Sequence, residues 1–586
     1  MLAKIGKYTR GYRKESFLTI FFIFLEVAFE IAIPFMIAKI VDDGIKGNDG
    51  VGNLQVIILY GSLMIVFAIL ALVCGVSAGR MSAVASSGFG TNLRQAMYYK
   101  VQDYSFENID KFSTASLITR MTTDVTMTQQ SYMMVIRTFA RAPMMIVGAT
   151  VMAITINPNL AVVFLVAVPV LGLSLFFIIK KAYPLFIKMF KKYDKLNASV
   201  QENLIGIRVV KAFVREDYEI DKFKDAAHDL YLNSKNAQKI MIFVNPVLQL
   251  TINACMLAIA WFGGRLIISE MMETGQLMSF LSYVMQILMN LMMISMVIVM
   301  VTMGRASLQR IFEVLDEKID LVNPENPVTE VFDGSVEFKN VYFSYSKTLD
   351  NPVLRNINLK IKPGETVGII GATGSAKTTL VQLIPRLYDA TAGAVLVGGV
   401  DVRDYDLKVL RNNVAMVLQK NVLFSGPIEE NLRWGDENAS EEEIINAAKI
   451  AQAHDFIMEA PGKYQRDLGQ GGVNVSGGQK QRLTIARALL KKPKILILDD
   501  STSAVDTKTE ALIREALKKE LPNVTKIIIA QRISSVEDAD KIIVLDEGEI
   551  NGIGTSEELL RTNKIYQEIY HSQLKGGPEN EQKNPA

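Results

Sequence analysis

Cysteine is almost missing from this chain. Cys74 and Cys255 are the only two among 586 residues, both lie inside apolar runs, and neither has a CxxC or other metal-ligand spacing. The cysteines therefore supply no metal or redox framework and are expected to be buried thiols. A dominant charge is missing too: 63 Lys and Arg against 61 Asp and Glu leave a net +2, which gives no global electrostatic case for a nucleic-acid partner. Histidine is scarce, with only His228, His454 and His571. There is no cleavable leader pattern either. Lys4, Lys7, Arg10, Arg13 and Lys14 precede a long apolar run without a small-residue cleavage site, so that run is expected to be a retained membrane helix.

What is present is apolar sequence, unevenly spread. The chain is 49% hydrophobic with a mean hydropathy of +0.22, an average over a very apolar first half and an ordinary second half. At this length more than one domain is required. A bilayer core of about 30 Å needs about 20 apolar residues per helix, and six runs qualify: Phe17 to Ile40, Leu54 to Ala78, Val135 to Ile156, Leu160 to Ile179, Ile240 to Phe262 and Leu277 to Val301. The links after the first, third and fifth runs are short and poor in Lys and Arg: Asp42 to Asn53, Asn157 to Asn159 and Gly263 to Gln276. Those after the second and fourth, Gly79 to Met134 and Lys180 to Lys239, are long and basic. Basic loops stay inside, so both chain ends and the long links are expected in the cytoplasm of a multi-pass protein of the cell membrane.

Glu26 and Glu30 stand at i and i+4 in the first run, on one helix face. A carboxylate at mid-helix costs about 2.5–3.5 kcal/mol on insertion scales, so this face is expected to meet a cavity or the bundle interior. It reads either as an acidic lining for cationic substrates or as a hydrogen-bonded packing pair. The last run carries Met285, Met289, Met292, Met293, Met296 and Met300. Such a stripe is ordinary core or lipid contact, or a surface that accepts varied apolar ligands, with Met289 and Met293 the candidate cavity residues.

Beyond Asn323-Pro-Glu-Asn-Pro327, a proline-broken linker, a soluble domain begins. A strand over Glu365 to Ile370 ends at Gly371-Ala-Thr-Gly-Ser-Ala-Lys-Thr378 and a helix follows. This is a phosphate-binding loop, in which backbone N–H groups wrap phosphate, Lys377 reaches β and γ oxygens and Thr378 holds Mg²⁺. Thr373, Gly374, Ser375, Ala376 and Thr379 complete the cradle, with Ala376 where the motif expects glycine. Lys494 to Asp499 is a buried-strand pattern ending in the acid expected to orient Mg²⁺ and its water. Between them lies Val475-Ser-Gly-Gly-Gln479.

With these motifs in this order the chain resembles the ATP-binding cassette exporters, specifically the multidrug-type half-transporters, over nearly everything except the tail. The resemblance implies an all-α six-helix transmembrane domain (1–320), a linker (321–334), an α/β P-loop nucleotide-binding domain (335–574) and a polar tail (575–586) expected to be disordered. It also implies ATP and Mg²⁺ as cofactors, Tyr345 as the aromatic on adenine, and Gln419 as the glutamine between Mg²⁺ and the membrane domain. Ser476, Gly477, Gly478 and Gln479 become the signature loop that closes on the partner's ATP, and Asp506 belongs to the loop crossing the dimer interface. Segments Phe112 to Arg120 and Arg215 to Phe223 resemble the coupling helices.

Two positions depart from the family pattern. Asp500 stands where a catalytic Glu is expected; one methylene shorter, it withdraws the carboxylate by over about 1 Å, a misplacement that can cost about 10²-fold in rate. Gln531 stands where a switch His is expected, and glutamine hydrogen-bonds without carrying an imidazolium charge. None of the three histidines is near that loop in sequence. A nearly intact signature beside a degenerate site predicts a bacterial heterodimeric exporter, whose second half-transporter brings the Glu and His, in contact with membrane lipid and moving a small hydrophobic substrate. Tolerated variation in a symmetric homodimer for lipid or peptide, and an ATP-gated regulatory subunit, are the competing readings. A peptide exporter with its own peptidase is disfavoured, since about 16 residues precede the first run.

Overall fold

The computed structural model describes residues 2–47 and 51–575. Part of the link after the first run, and the tail expected to be disordered apart from Lys575, therefore lie outside the described residues. Lys575 itself ends a helix over Lys564–Lys575. The chain divides into two compact units. One comprises the residues up to Gln102 with Thr114–Glu317; the other combines Asp103–Ser113 with Lys318 onward.

In the first unit, six helical stretches among the described residues are long and apolar enough to cross a membrane: Arg13–Lys46, Leu54–Gln102, Thr114–Ile156, Pro158–Ile205, Glu216–Ile268 and Thr274–Asp316. The six-helix expectation is met, and the helices run far beyond the apolar windows. Once a helix is nucleated, continuing it costs little, so polar sequence carries it on. Asn157 illustrates the local code: its side chain accepts from Leu160 N at 3.1 Å while Pro158 occupies the first helical position, where no N–H is needed. Phe17, Phe24, Leu72, Val76 and Leu165 stay exposed on this unit, as helices facing hydrocarbon require.

Polar contacts pin the first and last long helices together. The Asp42 carboxylate accepts from Gly275 N (2.6 Å) and Gln276 N (3.1 Å), at the positive end of the Thr274–Asp316 helix. Glycine is needed at 275, because a Cβ there would lie 2.5 Å from the Ala38 carbonyl oxygen. Further along, the Tyr283 hydroxyl donates to Ile31 O at 2.8 Å. At the far end of the last helix, Arg310 pairs with Asp124 (2.5 Å) and Arg120 with Glu313 (2.9 Å).

The second unit holds two sheets. Strands β1 (Val336–Phe343), β2 (Leu354–Ile361), β4 (Ala392–Val397) and β5 (Val400–Asp401) form one, in the order β2-β1-β4-β5. The other contains β3 (Thr366–Ile370), β6 (Val414–Val417), β7 (Ile495–Asp499), β8 (Thr525–Ile529), β9 (Lys541–Asp546) and β10 (Glu549–Gly554), ordered β10-β9-β3-β8-β7-β6. Strands β9, β3, β8, β7 and β6 pair in parallel. Every residue of β7 and β8 is buried, and within them Ile495–Leu498 and Ile527–Ile529 are unbroken apolar runs rather than alternating ones, with Thr525 and Lys526 buried at the start of β8. Each fully buried Ile or Leu there contributes about 1.5–3 kcal/mol. This order brings the carboxyl ends of β3, β8 and β7 side by side, where ligands of open α/β sheets sit.

Of the segments likened to coupling helices, the Phe112 to Arg120 window holds the short helix Thr114–Thr119 of the first unit. Just upstream, a separate helix at Phe106–Phe112 belongs to the soluble unit. It is set by a capping box between Ser105 and Asn108 and ended by Ser113 at a φ of +52°. In the second link the short helix is Ile207–Ala212, while Arg215 to Phe223 falls at the start of the long Glu216–Met241 helix.

Candidate nucleotide site

The site is assembled at three adjacent strand ends. The loop after β3 carries Lys377, the end of β7 carries Asp499 and Asp500, and the turn after β8 carries Gln531. Gly371 has no freedom to change: a Cβ would lie 2.1 Å from Leu545 O. Lys377 Nζ donates to the carbonyls of Gly371 and Ala372, each at 2.8 Å, folding the ammonium over the loop. The Thr378 hydroxyl donates to Asp499 Oδ1 at 3.0 Å. Ser375 and Thr379 are buried beneath, and the loop around Thr373 and Gly374 is exposed.

Ala376 caps the helix that follows in the left-handed region, at φ +69° and ψ +23°. The missing glycine is thus a matter of backbone angle as well as of space. An L-residue held there costs about 1–2 kcal/mol.

Asp499 is 1% exposed, and its Oδ2 has no hydrogen-bond partner. A buried carboxylate oxygen without a donor costs free energy unless a cation or its water fills the position. With the Thr378 hydroxyl on the other oxygen, this donor set suits a hard cation such as Mg²⁺. Burial pushes the Asp499 and Asp500 carboxyls above the usual carboxylate range, against the Thr378 bond in one case and bonds from Gln419 and Gln531 in the other. Burial likewise holds the Lys377 amine below its ordinary range, although both aspartates oppose it.

The two departing residues touch: Gln531 Nε2 donates to Asp500 Oδ2 at 3.0 Å. Asp500 also adopts a positive φ of +47°, which short polar side chains tolerate. Gln419 therefore meets the site through Asp500. Tyr345 is half exposed, its hydroxyl 3.0 Å from Thr379 Oγ1.

Ser476 and Gln479 form a reciprocal capping box at the start of the Gly477–Leu490 helix. Gly478 fits because a Cβ would lie 2.7 Å from Ala504 O. Asp506 caps the Thr507–Glu520 helix by accepting from Thr509 N at 2.9 Å. A residue the sequence reading passed over ties these together: buried Gln481 accepts from Ala504 N at 3.0 Å, joining the signature helix to the Ser503–Asp506 loop. Its signal was available, as a polar residue on the inner face of that helix. Also overlooked was an apolar groove of about 280 Å³ that includes Phe424, Trp434, Val422 and Arg487. Phe424 and Trp434 stack there with ring centroids 4.0 Å apart.

The candidate cavity residues of the first unit separate. Glu30 Oε2 lies 2.5 Å from Arg141 Nη2, and Glu26 Oε1 lies 3.7 Å from the same nitrogen. The two carboxylates are thus a paired cluster rather than an open acidic lining. Arg137 and Arg141, themselves at i and i+4, were the signal for it. Met289 and Met293 are both exposed and share a stripe with Met285 and Met296, whereas Met292 packs on the core.

A phosphate-binding loop after β3, a buried acid at the end of β7 and a capped signature helix, in a chain with six membrane-length helices, have the makeup of a nucleotide-dependent membrane transporter. Comparison with known proteins makes the class specific. Residues 16–292 match the ABC transporter transmembrane region, and residues 354–503 match the ABC transporter family model. The uncharacterized ABC transporter ATP-binding protein YfiB of Bacillus subtilis is 39% identical over 98% of this chain and 99% of its own. YgaD of the same organism, provisionally named a multidrug export ATP-binding/permease protein, is 32% identical over 97% and 99%. The ATP-dependent lipid A-core flippase of Desulfotalea psychrophila is 34% identical over 82% and 84%. The structure of a bacterial Atm1-family ABC exporter with ATP bound superposes with a TM-score of 0.83 at 26% identity, covering 96% of this chain and 99% of that one. The chain belongs to the ABC transporter family, as an exporter half-transporter.

Proposed function

We propose that this chain is the degenerate-site half of a heterodimeric, ATP-driven exporter that moves small hydrophobic or amphipathic compounds out of the cell. The observation carrying this reading is the pair Asp500 and Gln531, bonded to each other at 3.0 Å beside an orderly signature loop. A carboxylate held back by one methylene and engaged by a neutral amide is badly placed to orient or deprotonate water. Lys377, the loop amides and Tyr345 would bind ATP. Thr378, Asp499 and Gln419 would hold Mg²⁺, which when bound neutralises phosphate charge. The site retains ATP, while Ser476 to Gln479 complete the partner's hydrolytic site.

Dimerisation is supported by two surfaces, each apolar where exposure is costly. Phe213 and Val214, next to the Ile207–Ala212 helix, are 73% and 82% exposed, and the Phe424–Trp434 groove is open in the soluble unit. The basic links favour a cytoplasmic position for the chain ends and the soluble unit. The exposed Met285, Met289, Met293 and Met296 stripe suits varied apolar ligands. Pairing of Glu26 and Glu30 with Arg141 reduces the acidic charge this face offers, which favours neutral or amphipathic compounds over a purely cationic class. It also supports the second reading, a homodimeric lipid exporter, in line with the flippase relative.

Purified alone, the chain is expected to bind ATP and turn it over slowly, and co-expression with a half-transporter carrying Glu and His should raise turnover. Robust ATPase from the chain by itself would select the homodimer. Transport against a gradient separates a pump from a regulatory subunit.

A further inference from the structure

The turn that presents Tyr345 is fastened elsewhere. Lys347 N donates to Ser344 O at 3.1 Å, closing a turn around Tyr345, and Lys347 takes a φ of +59° to do so. Its ammonium lies 2.9 Å from Glu107 Oε1 on the Phe106–Phe112 helix and 3.1 Å from Asp320 Oδ2. Tyr388 approaches the same turn from the other side, edge-on to Tyr345 with ring centroids 5.4 Å apart. Its hydroxyl donates to Asp110 Oδ2 at 2.7 Å, and its ring meets Phe106 at 6.1 Å. The Phe106–Phe112 helix is therefore held by two side chains, one two residues from the base-facing aromatic and one in ring contact with it. A cavity of about 130 Å³ separates them, lined in part by Ser105, Glu107, Asp320 and Tyr345.

We propose that Lys347 and Tyr388 are positioning residues that make the placement of the Phe106–Phe112 helix depend on whether a base is stacked on Tyr345. The inference rests on the reading of Tyr345 as the adenine platform. Base–aromatic stacking supplies about 1–3 kcal/mol, and coupling energies of that size shift an equilibrium about 5–150-fold. The carboxyls of Glu107 and Asp320 share a hydrogen bond beside Lys347. Burial, followed by that bond, raises Glu107; for Asp320 the bonds from Glu107 and Lys347 outweigh burial and lower it. The Lys347 ammonium is thus held between acids of two different segments, an arrangement satisfied only while the helix stays in place. Losing the ammonium removes one of the two links between turn and helix and leaves the ring of Tyr345 untouched.

The test uses the full-length chain in lipid nanodiscs, with amide hydrogen exchange read over residues 104–113. MgATP fills the phosphate loop and stacks a base; Mg-tripolyphosphate fills the loop alone. In the wild type, MgATP is expected to slow exchange about tenfold beyond tripolyphosphate. Lys347→Met keeps the stem and removes the charge, and Tyr388→Phe removes only the hydroxyl. In both, that extra slowing should shrink about 5-fold or more, while affinity for a fluorescent ATP analogue stays within about twofold. If both variants keep the extra slowing, even with faster exchange before nucleotide is added, the two residues are merely structural and the proposal is overturned. No base-dependent slowing in a wild type that demonstrably binds ATP also overturns it and leaves the ATP reading standing. A wild type that fails to bind the analogue removes both.

Discussion

Replacing Asp500 with Glu and Gln531 with His in one chain should convert a holding site into a hydrolysing one. Asp500 leaves β7 with its Oδ2 held 3.0 Å from the Gln531 amide, and Gln419 bonds it as well. One added methylene carries the carboxylate more than about 1 Å further out, recovering about 10²-fold in rate, or about 2.7 kcal/mol of barrier at 1.36 kcal/mol per tenfold. The histidine contributes beyond that, because it releases the carboxylate from the amide and supplies a group able to carry charge. Asp500→Glu alone should gain less, since Gln531 can still bond the longer side chain. The assay is steady-state phosphate release from the purified full-length chain in nanodiscs, with affinity for an ATP analogue measured in parallel. A double variant that binds the analogue as tightly as the wild type yet hydrolyses ATP no faster would refute the reasoning.

Ala376→Gly removes a left-handed alanine at a cost of about 1–2 kcal/mol, against about 0.5–1 kcal/mol of extra backbone entropy for glycine. The thermal midpoint of the nucleotide-binding unit should rise by ~2 °C in calorimetry. Nucleotide affinity should fall at both ends of the pH range. The Lys377 amine is lowered in the empty site and phosphate favours its ammonium, so binding takes up a proton and weakens as pH rises through that lowered value. The Asp499 carboxyl is raised and Mg²⁺ needs the carboxylate, so binding releases a proton and weakens as pH falls through a value above the ordinary ~3.9. Titration of Mg²⁺-dependent analogue binding across pH checks both limbs, and a flat profile would contradict them. Arg141→Met should strand Glu26 and Glu30 and lower the melting temperature of the solubilised protein, with a stability loss no greater than the about 3–5 kcal/mol of a fully buried broken pair. Adding Glu30→Gln should restore part of the loss.

The spans and the nucleotide motifs were legible because each is carried by local sequence. About 20 apolar residues announce a bilayer, and a strand, glycine turn and Lys-Thr announce a phosphate loop. The extent of the helices was less legible. The stretch from Leu54 runs on to Gln102 through polar sequence, and the third stretch passes through wide helical turns at Arg120–Asp124 and Val135–Phe139 that no local pattern marks. Glu26 and Glu30 were recognised as one face, but their partner Arg141 lies over a hundred residues away. Ala376 was recognised as a departure, and the backbone shows why glycine is expected there: the position has a left-handed φ. The clasp between Lys347 and Glu107 had no sequence signature, because 240 residues separate its members.

The central claim is that this chain's own site keeps ATP intact. The full-length chain should be loaded with MgATP, freed of excess nucleotide, and the bound nucleotide extracted and identified over time. Nucleotide recovered as ATP after many minutes is the predicted result. Conversion to ADP within seconds, near the median enzyme rate of about 10 s⁻¹, would contradict it.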